Sequence, residues 1–68
     1  MSDQLTNQLR DERARLGLTQ AELAQMTGVS RKTINTVENS VFIPSTLLAL
    51  KLAKALNRSV EEIFSLAE

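Results

Sequence analysis

Sixty-eight residues, with eight lysines and arginines offset by eight acidic residues, make one small neutral domain over residues 1–68, in which folding buries only about 60% of the unfolded chain's surface. Cysteine and histidine are both missing, which excludes disulfides, thiolate chemistry and the usual zinc ligands and leads us to expect a reducing, cytoplasmic setting. No apolar run approaches the roughly 20 residues that span a bilayer, and no signal-peptide pattern opens the chain, so no membrane association is expected.

In chain order, the apolar spacing predicts a first helix from Asp3 to Leu16, with Ser2 as its cap. Leu5, Leu9 and Leu16 form its apolar stripe, and Gly17 ends it as a glycine able to take a left-handed conformation. Arg13 falls on the same stripe. An arginine facing a core needs a partner, because an unpaired buried charge is strongly unfavourable.

Thr19 with Glu22 is a capping box. It predicts a second helix over Gln20–Thr27 that buries Leu23 and Ala24 and stops at Gly28. Val29 plugs the turn, and Ser30 caps a third helix whose inward face is Ile34 and Val37. The small Ala24, four positions before Gly28, lets the third helix approach the second. Arg31, Lys32, Asn35 and Thr36 are left facing out, a polar and partly basic surface on a short helix that suits a DNA major groove. Glu38 follows Ile34 by four on the inward face and is the natural partner for Arg13, so we expect the two to pair.

The loop Ser40–Ser45 carries three consecutive apolar residues, Val41, Phe42 and Ile43. Asn39 is expected to take a left-handed cap conformation. Ile43 is expected in the core, and Phe42 or Val41 against a second subunit or over the end of the third helix. Ser45 then caps a fourth helix, Thr46–Leu56, so apolar around its circumference that a central, buried position is expected. Asn57 ends it. Ser59 with Glu62 is a second capping box, opening a fifth helix with Val60, Ile63, Phe64 and Ala67 on one face and Leu66 off it.

Charge is unevenly distributed. Residues 28–58 carry Arg31, Lys32, Lys51, Lys54 and Arg58 against Glu38 alone, a net of +4, while residues 1–27 sum to −1 and 59–68 to −3. One end of a neutral molecule can therefore be basic.

Gln20-Ala21-Glu22-Leu23-Ala24, Gly28-Val29-Ser30 and Thr33-Ile34 through Val37-Glu38-Asn39 resemble the helix-turn-helix family of phage repressors and Cro, the XRE-like family. The resemblance extends back through Arg13 and Gly17-Leu18-Thr19. It runs forward through Pro44-Ser45, Ala49-Leu50-Lys51-Leu52-Ala53 and Val60-Glu61-Glu62-Ile63-Phe64, so it covers nearly the whole chain.

It implies an all-α, compact five-helix lambda-repressor-like DNA-binding domain, with the helix-turn-helix at the second and third helices. The function implied is that of a sequence-specific regulator of transcription on double-stranded DNA, a repressor by default. The residues placed against DNA are Arg31, Lys32, Asn35 and Thr36 at base edges and nearby phosphates, Gln20 at a phosphate, and Ser30, Thr33 and Asn39 as further polar contacts. Arginine and lysine favour guanine, and asparagine favours adenine. The family resemblance also implies the Arg13–Glu38 pair. The family often has a glycine and a basic residue after the asparagine that follows the third helix; Ser40-Val41-Phe42 here lacks that cation.

One recognition helix reads only a few base pairs, so a two-fold homodimer on an inverted repeat is expected, with Val41, Phe42 and Leu66 at its interface. The apolar loop also leaves open an antitoxin-like or other protein-binding module in which DNA binding is secondary. No cofactor, metal or small-molecule ligand is expected, and no enzyme: a phosphate-cradling glycine loop is missing, and the adjacent pairs Asp11-Glu12 and Glu61-Glu62 diverge on a helix.

Overall fold

A computed structural model describes residues 4–67. In chain order the elements are β1 (Leu5–Asn7), α1 (Leu9–Arg15), α2 (Gln20–Thr27), α3 (Arg31–Glu38), α4 (Thr46–Leu56), α5 (Val60–Ile63) and β2 (Phe64–Leu66). The five helices have the lambda-repressor-like arrangement, with a two-stranded sheet added to it.

That sheet changes both ends of the expected helical layout. β1 and β2 pair antiparallel, with Leu5 opposite Leu66, Thr6 opposite Ser65 and Asn7 opposite Phe64. The first helix therefore begins at Leu9, not at Asp3; Ser2 and Asp3 lie outside the described residues. Asn7 is the local cause, since its Oδ1 accepts the Leu9 N–H at 3.1 Å and ties down a free donor of the first turn. The Gln8 N–H is taken by the Ile63 carbonyl at 2.7 Å, which fixes the strand before the helix can continue backward. At the other end α5 is a single turn. Phe64 is already extended (φ −119°, ψ 141°), so Ala67 lies beyond the strand and not on a helical stripe.

Leu9, Leu23, Ala24, Ile34, Val37, Leu48, Leu52, Ala53, Leu56, Ile63 and Phe64 form the buried core. Leu5, Leu18, Val29 and Val60 pack at its border. Thr27 is buried too, with its hydroxyl donating to the Leu23 carbonyl at 2.9 Å. Four residues expected at or facing the core are outside it. α4 buries one stripe only, leaving Leu47 and Leu50 exposed, because a domain this small cannot wrap a helix on all sides. Ile43 is 70% exposed, and Leu16 is also largely open.

The loop explains Ile43. The N–H groups of Val41 and Phe42 both donate to the Thr36 carbonyl, at 2.9 and 3.2 Å, and fold the backbone over the end of α3. Polar backbone thus covers that end and the side chains of residues 41–43 point away. The left-handed residue in this closure is Ser40 (φ 60°), not Asn39 (φ −89°). The helix runs one residue further than a stop at Asn39 requires, and the Asn39 side chain is engaged elsewhere.

The same closure ends all four longer helices. The N–H of the residue after each left-handed position returns to a carbonyl five positions back: Leu18 to Arg13, Val29 to Ala24, Val41 to Thr36 and Arg58 to Ala53. The left-handed positions are Gly17, Gly28, Ser40 and Asn57.

Candidate nucleic-acid interface

α2 and α3 are set by their caps. Thr19 Oγ1 accepts the Glu22 N–H at 3.0 Å and Glu22 Oε1 accepts the Thr19 N–H at 2.9 Å, closing the capping box. Ser30 Oγ accepts the Thr33 N–H at 3.1 Å. With Ile34 and Val37 buried against α2, the opposite face of α3 points to solvent.

On that face Arg31 and Lys32 are exposed, and neither has a hydrogen bond or ion pair among the described residues. They occupy the first two positions of α3, whose first turn holds no acidic residue. The helix macrodipole disfavours cations there. Among the described residues, nothing in the fold compensates these two cations at the end of the helix that disfavours them. Thr33, Asn35 and Thr36 are half-buried beside them. The Thr36 hydroxyl donates to the Thr33 carbonyl at 2.9 Å, and Asn39 Nδ2 donates to Asn35 Oδ1 at 3.2 Å.

Glu38 links this face to the rest of the molecule. Its side chain is 0% exposed. Arg13 donates through Nε to Oε2 at 2.7 Å and through Nη2 to Oε1 at 3.3 Å. Gln20 Nε2 donates to Oε1 at 3.1 Å, and Arg10 Nε to Oε1 at 3.4 Å. Arg13 also donates to the Leu18 carbonyl at 2.8 Å. Burial pushes the Glu38 carboxyl up, but the hydrogen bonds from Arg13 and Gln20 and the Arg13 charge outweigh it and hold the group below the ordinary glutamate range. The carboxylate thereby fixes Gln20, at the first turn of α2, beside the C-terminal end of α3.

Geometry separates the remaining cations. Arg58 lies in an ion-pair network with Glu12 (3.1 Å) and Glu62 (3.6 Å), and Arg15 pairs with Glu12 at 2.7 Å, so the charge of Arg58 is already matched. Lys51 and Lys54 line a groove with Gln25–Gly28, between α2 and α4. Val41 and Phe42 flank the end of α3, while Leu66 lies on β2. Among the described residues no cluster of His, Cys, Asp and Glu is placed to hold a metal ion, and no helix is long and apolar enough to cross a membrane.

A profile of the helix-turn-helix family matches residues 9–63. The chain belongs to the XRE-type helix-turn-helix family of transcriptional regulators. An uncharacterized regulator of this type from Methanothermobacter thermautotrophicus is 48% identical over 61 residues, 88% of each chain. Another, YgzD of Bacillus subtilis, is 39% identical over 64 residues, 94% of this chain and 97% of the relative. Among solved structures, the P22 c2 repressor in complex with a synthetic operator superposes with a TM-score of 0.76, at 38% identity over 78% of this chain and 80% of that one.

The family assignment accounts for α2, α3 and their turn. It leaves Arg10 without a role, and the sequence reading did not single it out. The available signal was its spacing: Arg10 lies three residues before Arg13, on the same side of α1.

Proposed function

We propose that this protein is a sequence-specific regulator of transcription that binds double-stranded DNA as a homodimer, a repressor reading an inverted repeat with α3 in the major groove. The observation that carries the reading is the pair Arg31 and Lys32, exposed at the start of α3 and without a side-chain partner among the described residues. A DNA phosphate or a guanine edge supplies the negative charge that the fold omits there. Asn35 and Thr36 extend the polar face along the helix, and Gln20 offers its remaining amide N–H to a phosphate near the first turn of α2.

A dimer is supported by apolar surface. Phe42, Ile43 and Pro44 border one groove with Leu5 and Phe64, and Leu50 and Val60 continue it along α4 and α5. Leu66 stands exposed beside Val60 and Phe64. Two copies related by symmetry would set their recognition helices about 34 Å apart, one turn of B-DNA.

Selection of bound sequences from a random duplex pool tests the reading. An enriched inverted repeat is expected, and Arg31→Ala or Lys32→Ala should weaken binding to it by ~1–3 kcal/mol and relax preference at one base pair per half-site. A double variant that binds the selected duplex as tightly as the parent refutes it. The exposed loop Val41–Ile43 favours a second reading, a protein-binding module with DNA contacts secondary. Its mark is a stoichiometric protein partner that co-purifies with the parent chain and is lost with Phe42→Glu.

A further inference from the structure

We infer that Arg10 is a DNA-backbone contact, anchored at the C-terminal end of α3 by Glu38 and Asn39 and free to donate to a phosphate. The inference rests on the DNA-binding reading above and adds a contact from outside the helix-turn-helix.

Charge counting comes first. Glu38 carries one negative charge, and Arg13 takes it up with two hydrogen bonds while only 17% exposed. Arg10 makes the longest contact to the same carboxylate, 3.4 Å, and its side chain is 61% exposed. Two guanidiniums on one carboxylate leave a net charge of +1, and the geometry puts that surplus on the solvent-facing Arg10.

Its position follows from the second anchor. Arg10 Nη2 donates to Asn39 Oδ1 at 3.0 Å, and Asn39 Nδ2 donates to Asn35 Oδ1 at 3.2 Å. A chain of polar contacts thus runs from the outer face of α3 to α1. A guanidinium has five N–H groups; the Glu38 and Asn39 contacts use two, so three remain. With the fork held at two points, little side-chain freedom is left to lose when a third group is bound.

The sequence shows why such a contact matters in this chain. From Thr33 to Leu50 there is no lysine or arginine, so α3 and the loop after it supply no cation beyond Lys32. A helix about 10–12 Å across nearly fills a groove about 12 Å wide, so groups flanking the helix lie at the phosphate rims. Arg10 flanks the C-terminal half of α3, and Arg31 and Lys32 hold the other end.

The experiment uses the full chain, the duplex selected for it and a duplex of mixed sequence, with binding followed by fluorescence anisotropy across a salt series. Arg10→Gln should lower the slope of log K against log salt by about 0.9 per protomer, equally on both duplexes and with the ratio of the two affinities unchanged. Arg10→Lys should keep most of the slope. Arg10→Met, which retains the aliphatic stem, replaces the glutamine variant if that one does not fold. A purely structural Arg10 would shift the melting temperature and leave the slope alone. An unchanged slope, or a loss confined to the selected duplex, overturns the inference while the DNA-binding reading stands. A parent chain that binds neither duplex removes both.

Discussion

Replacing Glu38 with glutamine keeps the shape of the side chain and removes its charge. In the parent its two oxygens accept four N–H groups, from Arg13 twice, Gln20 and Arg10. A glutamine presents an NH2 where one of those oxygens stood, so at least one donor is turned against another. Breaking a buried ion pair from one side destabilises by ~3–5 kcal/mol. Arg13 keeps the Leu18 carbonyl at 2.8 Å and some solvent, which places the expected loss near the lower end, about 3 kcal/mol. A domain of this length holds roughly 3–10 kcal/mol in total. The melting temperature should therefore fall by roughly 12–24 °C, read by far-UV circular dichroism. Arg13→Met with Glu38→Leu should recover most of the loss, because neither charge is then stranded.

Acid gives an independent check on the same site. The folded-state pKa of Glu38 lies below its unfolded value, so the unfolded chain binds the extra proton. The stabilisation is complete above the ordinary glutamate range and is lost as the pH falls through the folded-state pKa. The gap in melting temperature between parent and Glu38→Gln should close on acidification. A gap under about 4 °C at neutral pH, less than 1 kcal/mol on this scale, would refute the account of Glu38 as a buried, charge-dependent hub.

Further outcomes are expected elsewhere. Ser40→Gly should raise stability by ~0.5–1 kcal/mol in thermal unfolding, since a left-handed backbone at φ 60° is disfavoured for serine and open to glycine. Gly28→Ala should lower it by ~1–2 kcal/mol: an added Cβ meets nothing within 4 Å, so the loss is backbone strain at φ 73° alone. Asn7→Ala should cost ~1–3 kcal/mol, because Nδ2 donates to the Val37 carbonyl at 3.0 Å while Oδ1 holds the start of α1. Phe42→Glu and Leu66→Glu should each shift sedimentation toward monomer at constant helix content, and a parent chain already monomeric at tens of micromolar would remove the dimer.

What the sequence disclosed was mostly local. Thr19 with Glu22 and Ser59 with Glu62 mark helix starts through contacts three residues apart, and both capping boxes form. α2, α3 and α4 begin where their N-caps Thr19, Ser30 and Ser45 put them. β1 was not legible, because Leu5 and Leu9 are spaced as on a helix and three residues show no period-two pattern. Its partner lies 59 positions away, beyond any local signal. Asn7 was the available clue, a capping residue type two positions before the first helical residue, Leu9, and Ser2 competed for the same role. Ile43 was misread because its neighbours' backbone hydrogen bonds, not its hydrophobicity, decide where it points. At the site, residue types located α3, but that Arg58 is matched by distant Glu12 while Arg31 and Lys32 lack partners among the described residues is a property of the fold.

The pairing of β1 with β2 bears on the order of assembly. Thr6 and Ser65 share a hydrogen bond of 2.9 Å across 59 positions of sequence, whereas α2 and α3 meet within a single short turn. Closing the long loop removes more chain entropy than closing the short one, so the helix pair can form first and the strands zip last. Because, among the described residues, each strand pairs only with the other, they must also part together. Amide exchange at Gln8 and Ala67, whose N–H groups bond to the Ile63 and Gln4 carbonyls, should then report one common opening, faster than that of Leu52 in the middle of α4.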